Sequence, residues 1–367
     1  MNDKTKKYLK TILQIVFFAL VLGLTFYVVF KGQDISAIME SITKINVGLL
    51  IAALIMALLY VCCEGYMIWL MVGNEHGIKS LFKCISYSCI GFFYSGITPG
   101  ASGGQPMQLY YMSRDGFSFS RSCAALTVVA IGNKLVLALS GILLLIFWNK
   151  PLHENFGGNM WWYYLGLVML VFIVFVLCEL IFAPDFLEKK IMKGNIFFEK
   201  KKLFKRENAE KRRERIRTFF DGYRDVRHEM KVHKSKVVRV VIISFVQRAF
   251  LVGLTYMIYL GFGLTGTSGI YIFLTQLSIF ITVDMLPLPG GQGISEFLYK
   301  SVFAKVFTGE LLTASMCISR LTSFYFLLFL SLAVSVYKSV RTFVIGNKKR
   351  DMVREDLEEE WRSNLCS

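Results

Sequence analysis

GITPGASGGQPMQ, residues Gly96–Gln108, lies between two apolar runs and carries four glycines, two prolines, four hydrogen-bonding side chains and no charge. A backbone that crosses hydrocarbon must satisfy its peptide groups internally, because each one left open costs several kcal/mol. A helix-breaking knot at membrane depth therefore has to face protein or a water-filled cavity. The reading of this stretch decides whether the chain is a plain bundle of spans or is built around broken helices.

Its surroundings are membrane-like. The 367 residues are 54% hydrophobic, 15% aromatic and only 19% charged, with a mean hydropathy of +0.51. Runs close to the roughly 20 apolar residues that a bilayer requires occur at Leu9–Phe30, Val47–Val72, Cys123–Trp148, Met160–Phe182, Val237–Leu264 and Leu311–Val336. These predict an all-α polytopic integral membrane protein with six spans. The cysteines fall mostly inside the runs without metal-ligand spacing, which makes them small apolar fillers. No small-residue cleavage site follows the first run, so it reads as a retained span.

The net charge of +16 is unevenly spread. Residues 185–236 hold 18 Lys/Arg against nine Asp/Glu, and the leader and Lys348-Lys349-Arg350 are also basic, whereas 31–44 and 149–159 are near neutral. The positive-inside rule then places both termini and the large loop in the cytoplasm and the two short segments outside. Within the loop, KRENAEKRRERIRTFFDGYRDVRHEMK reads either as a basic helix lying along anionic headgroups or as a solvated topology determinant. Trp161, Trp162, Tyr163 and Tyr164 sit where an interfacial aromatic belt belongs. The charged tail 351–367 reads as a frayed or amphipathic helix. Nothing in the charge pattern calls for nucleic acid.

The opening knot has a counterpart. LPLPGGQGISEFLYKS, Leu286–Ser301, repeats its core, with Gly103-Gly104-Gln105 answered by Gly290-Gly291-Gln292 at an offset of 187 residues. Four of the six prolines, Pro99, Pro106, Pro287 and Pro289, lie in these two places. Between Lys79 or Lys83 and the first knot there are about a dozen apolar residues, and the return to Arg114 is shorter, too little on either side to span about 30 Å. The first knot is therefore expected to break a hairpin that enters from the cytoplasm. The second would break one entering from the opposite face, with a complete span at 270–286 the alternative. Opposed hairpins in two halves, about 1–184 and 237–350 around the basic loop 185–236, are the pattern of inverted-repeat transporters. The half-helices after the knots aim their N-termini inward, where open N–H groups favour an anion such as a phosphate headgroup.

Ionisable side chains within spans are costly and are functional candidates by default. The cations are Lys134, Arg248 and Arg320, and the acids are Glu64, Asp284 and Glu296. They either bind a lipid phosphate and a cationic group or coupling proton, or neutralise one another, for instance Arg320 with Glu296 and Lys134 with Glu64. Gln105 and Gln108 complete the polar candidates. No HExxH, GxSxG, P-loop or metal-ligand cluster occurs, and the four histidines lie outside the spans. No cofactor or metal is expected, and any transport is facilitated or driven by an ion or the membrane potential.

TPGASGGQPMQLYYM, then a span, a basic loop and LPLPGGQGISEF with Arg320 downstream, resembles the flippase-like membrane domain of lysylphosphatidylglycerol synthases and its stand-alone bacterial relatives. The resemblance covers nearly the whole chain. It implies a bacterial inner-membrane protein that moves a phospholipid-type lipid between leaflets, altering surface charge and resistance to cationic peptides, with membrane lipids and a lipid synthase as partners. Many relatives carry an acidic residue and an arginine in the first motif, where this chain has Gln105 and Gln108. About 30 residues follow the last span, so the aminoacyltransferase half that gives such proteins a lysyltransferase name is not expected to act here. A membrane partner or scaffold of a lipid-modifying enzyme is the remaining alternative.

Overall fold

The computed structural model describes residues 35–72, 77–98, 101–200, 209–284, 286 and 293–340. The expected first span at 9–30, the tail at 351–367, and Pro99, Pro287, Pro289, Gly290, Gly291 and Gln292 lie outside them. Every regular element among the described residues is helical. In chain order these are α1 (Ile35–Thr43), α2 (Val47–Val72), α3 (Gly77–Ile97), α4 (Gly104–Arg114), α5 (Phe119–Phe147), α6 (Asn149–Phe156) and α7 (Met160–Phe182). There follow α8 (Pro184–Lys200), α9 (Ala209–Val232), α10 (Lys234–Gly261), α11 (Gly269–Val283), α12 (Ile294–Phe303) and α13 (Glu310–Val340). Five of them, α2, α5, α7, α10 and α13, are long and apolar enough to cross a membrane.

Side-chain contacts sort the helix ends. Ser120 at the start of α5 donates to the Thr218 carbonyl of α9 at 2.9 Å, and α9 leads into α10, so these ends share one basic face. At the far end, Asn46 N–H before α2 donates to the Gly261 carbonyl at 2.9 Å. Tyr271 of α11 donates to Asn155 of α6 at 2.8 Å, and Tyr259 of α10 meets Phe307 ring to ring at 5.8 Å.

Both knots then resolve as hairpins. The α3–α4 return ends at Asp115, which accepts a hydrogen bond from the hydroxyl of Tyr87, midway along α3, and pairs with Lys338 at the end of α13. Helix α11 starts at the far end and α12 brings the chain back there, to Phe303 and Phe307. With 15 and 10 residues, about 22 and 15 Å, these two arms are too short to cross, which excludes the complete span considered for 270–286. The α3 arm is longer than the sequence suggested. It runs 21 residues, about 31 Å, because Lys79 and Lys83 belong to its first turns and do not mark a boundary.

The offset of 187 holds for the architecture as well. Applied to α2 it gives 234–259, against Lys234–Gly261 for α10; applied to the starts of α4 and α5 it gives 291 and 306, against Ile294 and Glu310. Helices α2–α5 and α10–α13 thus follow the same order of long and short elements, and the two sets meet along α2 and α10.

Small residues set the closest crossings, as expected where helices meet in lipid without a hydrophobic drive between them. A Cβ on Gly65 of α2 would stand 2.6 Å from the Ile85 Cα of α3, and one on Gly166 of α7 2.7 Å from the Ile281 carbonyl of α11. Helix α11 is accordingly interior, burying Thr275, Gln276, Ser278 and Thr282 as well as its apolar residues.

Helix α9 is not a solvated segment: Phe220, Tyr223 and Val226 are buried, and Tyr223 and Val226 join the core of α2, α3 and α5. Its charges tie it to its neighbours, Arg224 to Asp185 (2.8 Å) and Glu188 of α8, and Glu229 to Arg121 of α5 (3.1 Å). Hydrogen bonding from Arg224 holds the Asp185 carboxyl below the usual aspartate value. Of the four aromatics assigned to the belt, Tyr163 is instead fully buried and donates to the Gly141 carbonyl at 2.9 Å, while Trp161 and Tyr164 are exposed.

Candidate functional site

The first knot is organised by Thr98. Its hydroxyl donates to the Tyr94 carbonyl at 2.6 Å and accepts the Gly103 N–H at 2.8 Å, while Ala101 takes a left-handed φ of 55° to reverse the chain. Gly104 is where α4 crosses α3, since a Cβ there would overlap the Ser95 hydroxyl. Helix α4 starts at Gly103 without a side-chain cap bond, and a helix N-terminus favours an anion. Gln105 is exposed at this tip, whereas Gln108, one turn on, is buried at 3% exposure and donates its amide N–H to Glu64 of α2 at 2.9 Å. Gly91 of α3 makes that reach possible, because a side chain there would occupy the place of the Gln108 amide.

The second half-helix begins differently. Glu296, 5% exposed, turns back over its own N-terminus and accepts the Gly293 N–H at 2.7 Å and the Ser295 hydroxyl at 2.8 Å. Its other oxygen accepts Arg320 Nε of α13 at 2.6 Å. A carboxylate of the chain thus occupies the position that an anion was expected to take at this end. Directly after Arg320, Leu321–Tyr325 forms a π-helical turn, a feature that recurs at functional sites.

The remaining charges lie between the hairpins. Lys134 of α5 pairs with Asp284, the residue that closes α11, so the expected Lys134–Glu64 pair does not form, while the expected Arg320–Glu296 pair does. Arg248 of α10 stands 5.8 Å from the centre of the Phe280 ring, one turn before Asp284, and has no carboxylate partner among the described residues. Tyr60, one turn before Glu64 on α2, lies within electrostatic reach of Arg248, Glu64 and Asp284 and links the two sides of the cluster. Its ring meets Phe92 at 6.5 Å, Phe92 meets Phe324 at 6.2 Å, and Arg320 lies 5.9 Å from the Phe324 ring.

The fold therefore gathers Glu64, Gln108, Lys134, Arg248 and Asp284 around Tyr60, with Glu296 and Arg320 at the other end of an aromatic path. Gly103, Gly104 and Gln105 mark the first tip. Gly290, Gly291 and Gln292 fall outside the described residues. Tyr60, Gly91, Thr98 and Phe280 escaped the sequence reading; only Tyr60 carried a signal, its helical spacing from Glu64. Among the described residues, no group of three His, Cys, Asp or Glu is placed to hold a metal, and the seven cysteines are free thiols.

A model of the family described as "Lysylphosphatidylglycerol synthase TM region" matches residues 11–331. The chain belongs to that family. The match takes in both hairpins, the π-turn and all six intramembrane charges, and it makes the chain a multi-pass membrane protein related to lysylphosphatidylglycerol synthesis or flipping. No curated protein matches the chain significantly.

Proposed function

We propose that this lysylphosphatidylglycerol synthase TM region moves a phospholipid-type lipid, whether aminoacylated, glycosylated or isoprenoid-linked, between the leaflets of a bacterial cell membrane, with its basic end in the cytoplasm. The observation that carries the reading is the pair of hairpins entering from opposite ends, with three cations and three acids from six different helices gathered between them. Burying that many charges among spans is costly unless they serve a polar cargo or its driving ion.

In this reading, the N-terminus of α4 and the guanidinium of Arg248 receive the headgroup phosphate. The pairs Lys134–Asp284 and Arg320–Glu296 hold the second hairpin against α5 and α13 and exchange partners as the headgroup passes. Alternate loosening of the two hairpins opens the cluster to one face at a time, the general logic of inverted repeats. Movement of such a lipid changes surface charge and with it the response to cationic peptides. The chain itself does not transfer an aminoacyl group, so purified protein given charged tRNA and phosphatidylglycerol yields no aminoacyl lipid.

Cells with and without the gene provide the test. Cells lacking the protein should keep their total lipid composition but lose outer-leaflet exposure of one lipid class. Unchanged leaflet distribution of every anionic, aminoacylated and glycosylated lipid refutes the proposal. Unchanged distribution in Arg248→Ala cells, together with a co-purifying synthase, favours a scaffold instead.

A further inference from the structure

The three intramembrane acids differ in what holds them. Asp284 and Glu296 are each paired with a cation, Lys134 and Arg320. Glu64 is held by an amide. Gln108 reaches it at 2.9 Å through the notch that Gly91 leaves in α3, with the Ser88 hydroxyl also beside it. An amide offers both donors and an acceptor. It gives an N–H to the ionised carboxylate and, after a flip, accepts the O–H of the protonated acid. This contact survives a change of charge that would break either of the other two.

The surroundings show what that change does. The titratable and charged groups around Glu64 are Tyr60 on α2, Cys89 on α3, and Arg248 and Asp284 beyond Tyr60. Helix α4 contributes only the neutral Gln108, while Lys134 of α5 and Arg320 of α13 are held by other acids. With Glu64 ionised, the three cations and three acids cancel. With Glu64 protonated, the cluster carries one net positive charge and Arg248 is the cation without a carboxylate.

We propose that Glu64 is a proton-binding site that couples proton movement to the first hairpin, so that a proton and an anionic lipid headgroup bind the cluster together and cross together. The proton adds to a carboxylate oxygen of Glu64 on one side of the membrane and leaves it on the other. The coupling rests on the lipid-translocation reading, and for one proton per lipid a gradient of one pH unit biases the leaflet ratio roughly tenfold.

Two measurements on the full chain test it. In lipid nanodiscs, infrared titration should show a protonated-carboxyl band that is lost in Glu64→Gln and kept in Glu310→Gln, at an exposed position. Should Glu64→Gln fail to fold, Glu64→Asp must move the midpoint of that band. A spectrum that Glu64 substitution leaves unchanged, or a band abolished by sodium at constant pH, overturns the proton site. In proteoliposomes containing labelled phosphatidylglycerol, an imposed pH gradient should shift the leaflet ratio for the wild type and leave it even for Glu64→Gln. A wild type that moves lipid without responding to the gradient overturns the coupling and spares the translocation reading. A wild type that moves no lipid overturns both.

Discussion

Replacing Arg320 by Met removes the cation from a carboxylate that is almost wholly enclosed. Glu296 is 5% exposed and spends its oxygens on three donors, the Arg320 Nε at 2.6 Å, the Gly293 N–H at 2.7 Å and the Ser295 hydroxyl at 2.8 Å. The substitution leaves two neutral donors facing a buried charge. Breaking a buried pair from one side costs about 3–5 kcal/mol, and the retained cap together with the 19% exposure of the Arg320 side chain places this case near the lower limit. An increase in the unfolding equilibrium of roughly a hundredfold is expected, since each ~1.4 kcal/mol is a factor of ten.

Glu296→Gln strands a partly exposed arginine that still lies over Phe324, so its cost is smaller, about 2 kcal/mol. In the double variant neither charge is left without its partner, and the loss falls short of the sum of the singles by at least about 2 kcal/mol. Unfolding in mixed detergent micelles, followed by tryptophan fluorescence, measures all four proteins. Single losses that add to within about 0.5 kcal/mol refute the claim that this pair fastens the second hairpin to α13.

Three further outcomes follow from other contacts. Exchanging the charges in Lys134→Asp with Asp284→Lys should recover most of the stability that either single change removes, by about 2 kcal/mol in the same micelle assay; no recovery means that the pair is incidental. Gly91→Ala pushes the Gln108 amide away from Glu64 and should cost about 1–3 kcal/mol by overpacking, and Gln108→Ala on the same chain should relieve most of that loss. The Asp185 carboxyl, held below 3.8 by Arg224, lends stability to the docking of α8 on α9 that is complete above that value and fades as the pH falls through the lowered one. Hydrogen exchange of α9 amides should therefore accelerate only at acid pH, and an Asp185→Asn protein should have lost this dependence.

The sequence was most readable where it repeats and where it is apolar. The span at 47–72 needed only its length, and the offset taken from two GGQ triplets transfers the bounds of α2 onto α10. Pairing was less readable because it depends on tertiary placement. Lys134 and Glu64 lie in the same half of the chain, yet insertion of the second hairpin brings Asp284 to Lys134, and Gln108 of the first hairpin reaches Glu64.

Charge also hid structure. The many basic residues of α9 masked the stripe of Phe220, Tyr223 and Val226 that buries it, and four consecutive belt-like aromatics on a helix of 3.6 residues per turn were bound to turn one of them, Tyr163, inward. The π-turn after Arg320 has no sequence signal of its own, since it is a matter of hydrogen-bond register among ordinary helix residues.

The central claim is that the hairpins and the charges between them carry a lipid headgroup across the membrane. The most direct measurement is translocation of a headgroup-labelled phospholipid by the purified chain in proteoliposomes, read by a membrane-impermeant quencher. The account predicts quenching beyond the outer-leaflet share with the wild type and a return to that share with Arg248→Ala. Quenching that stays at the outer-leaflet share with a folded wild type, for anionic, zwitterionic and aminoacylated lipids alike, contradicts it.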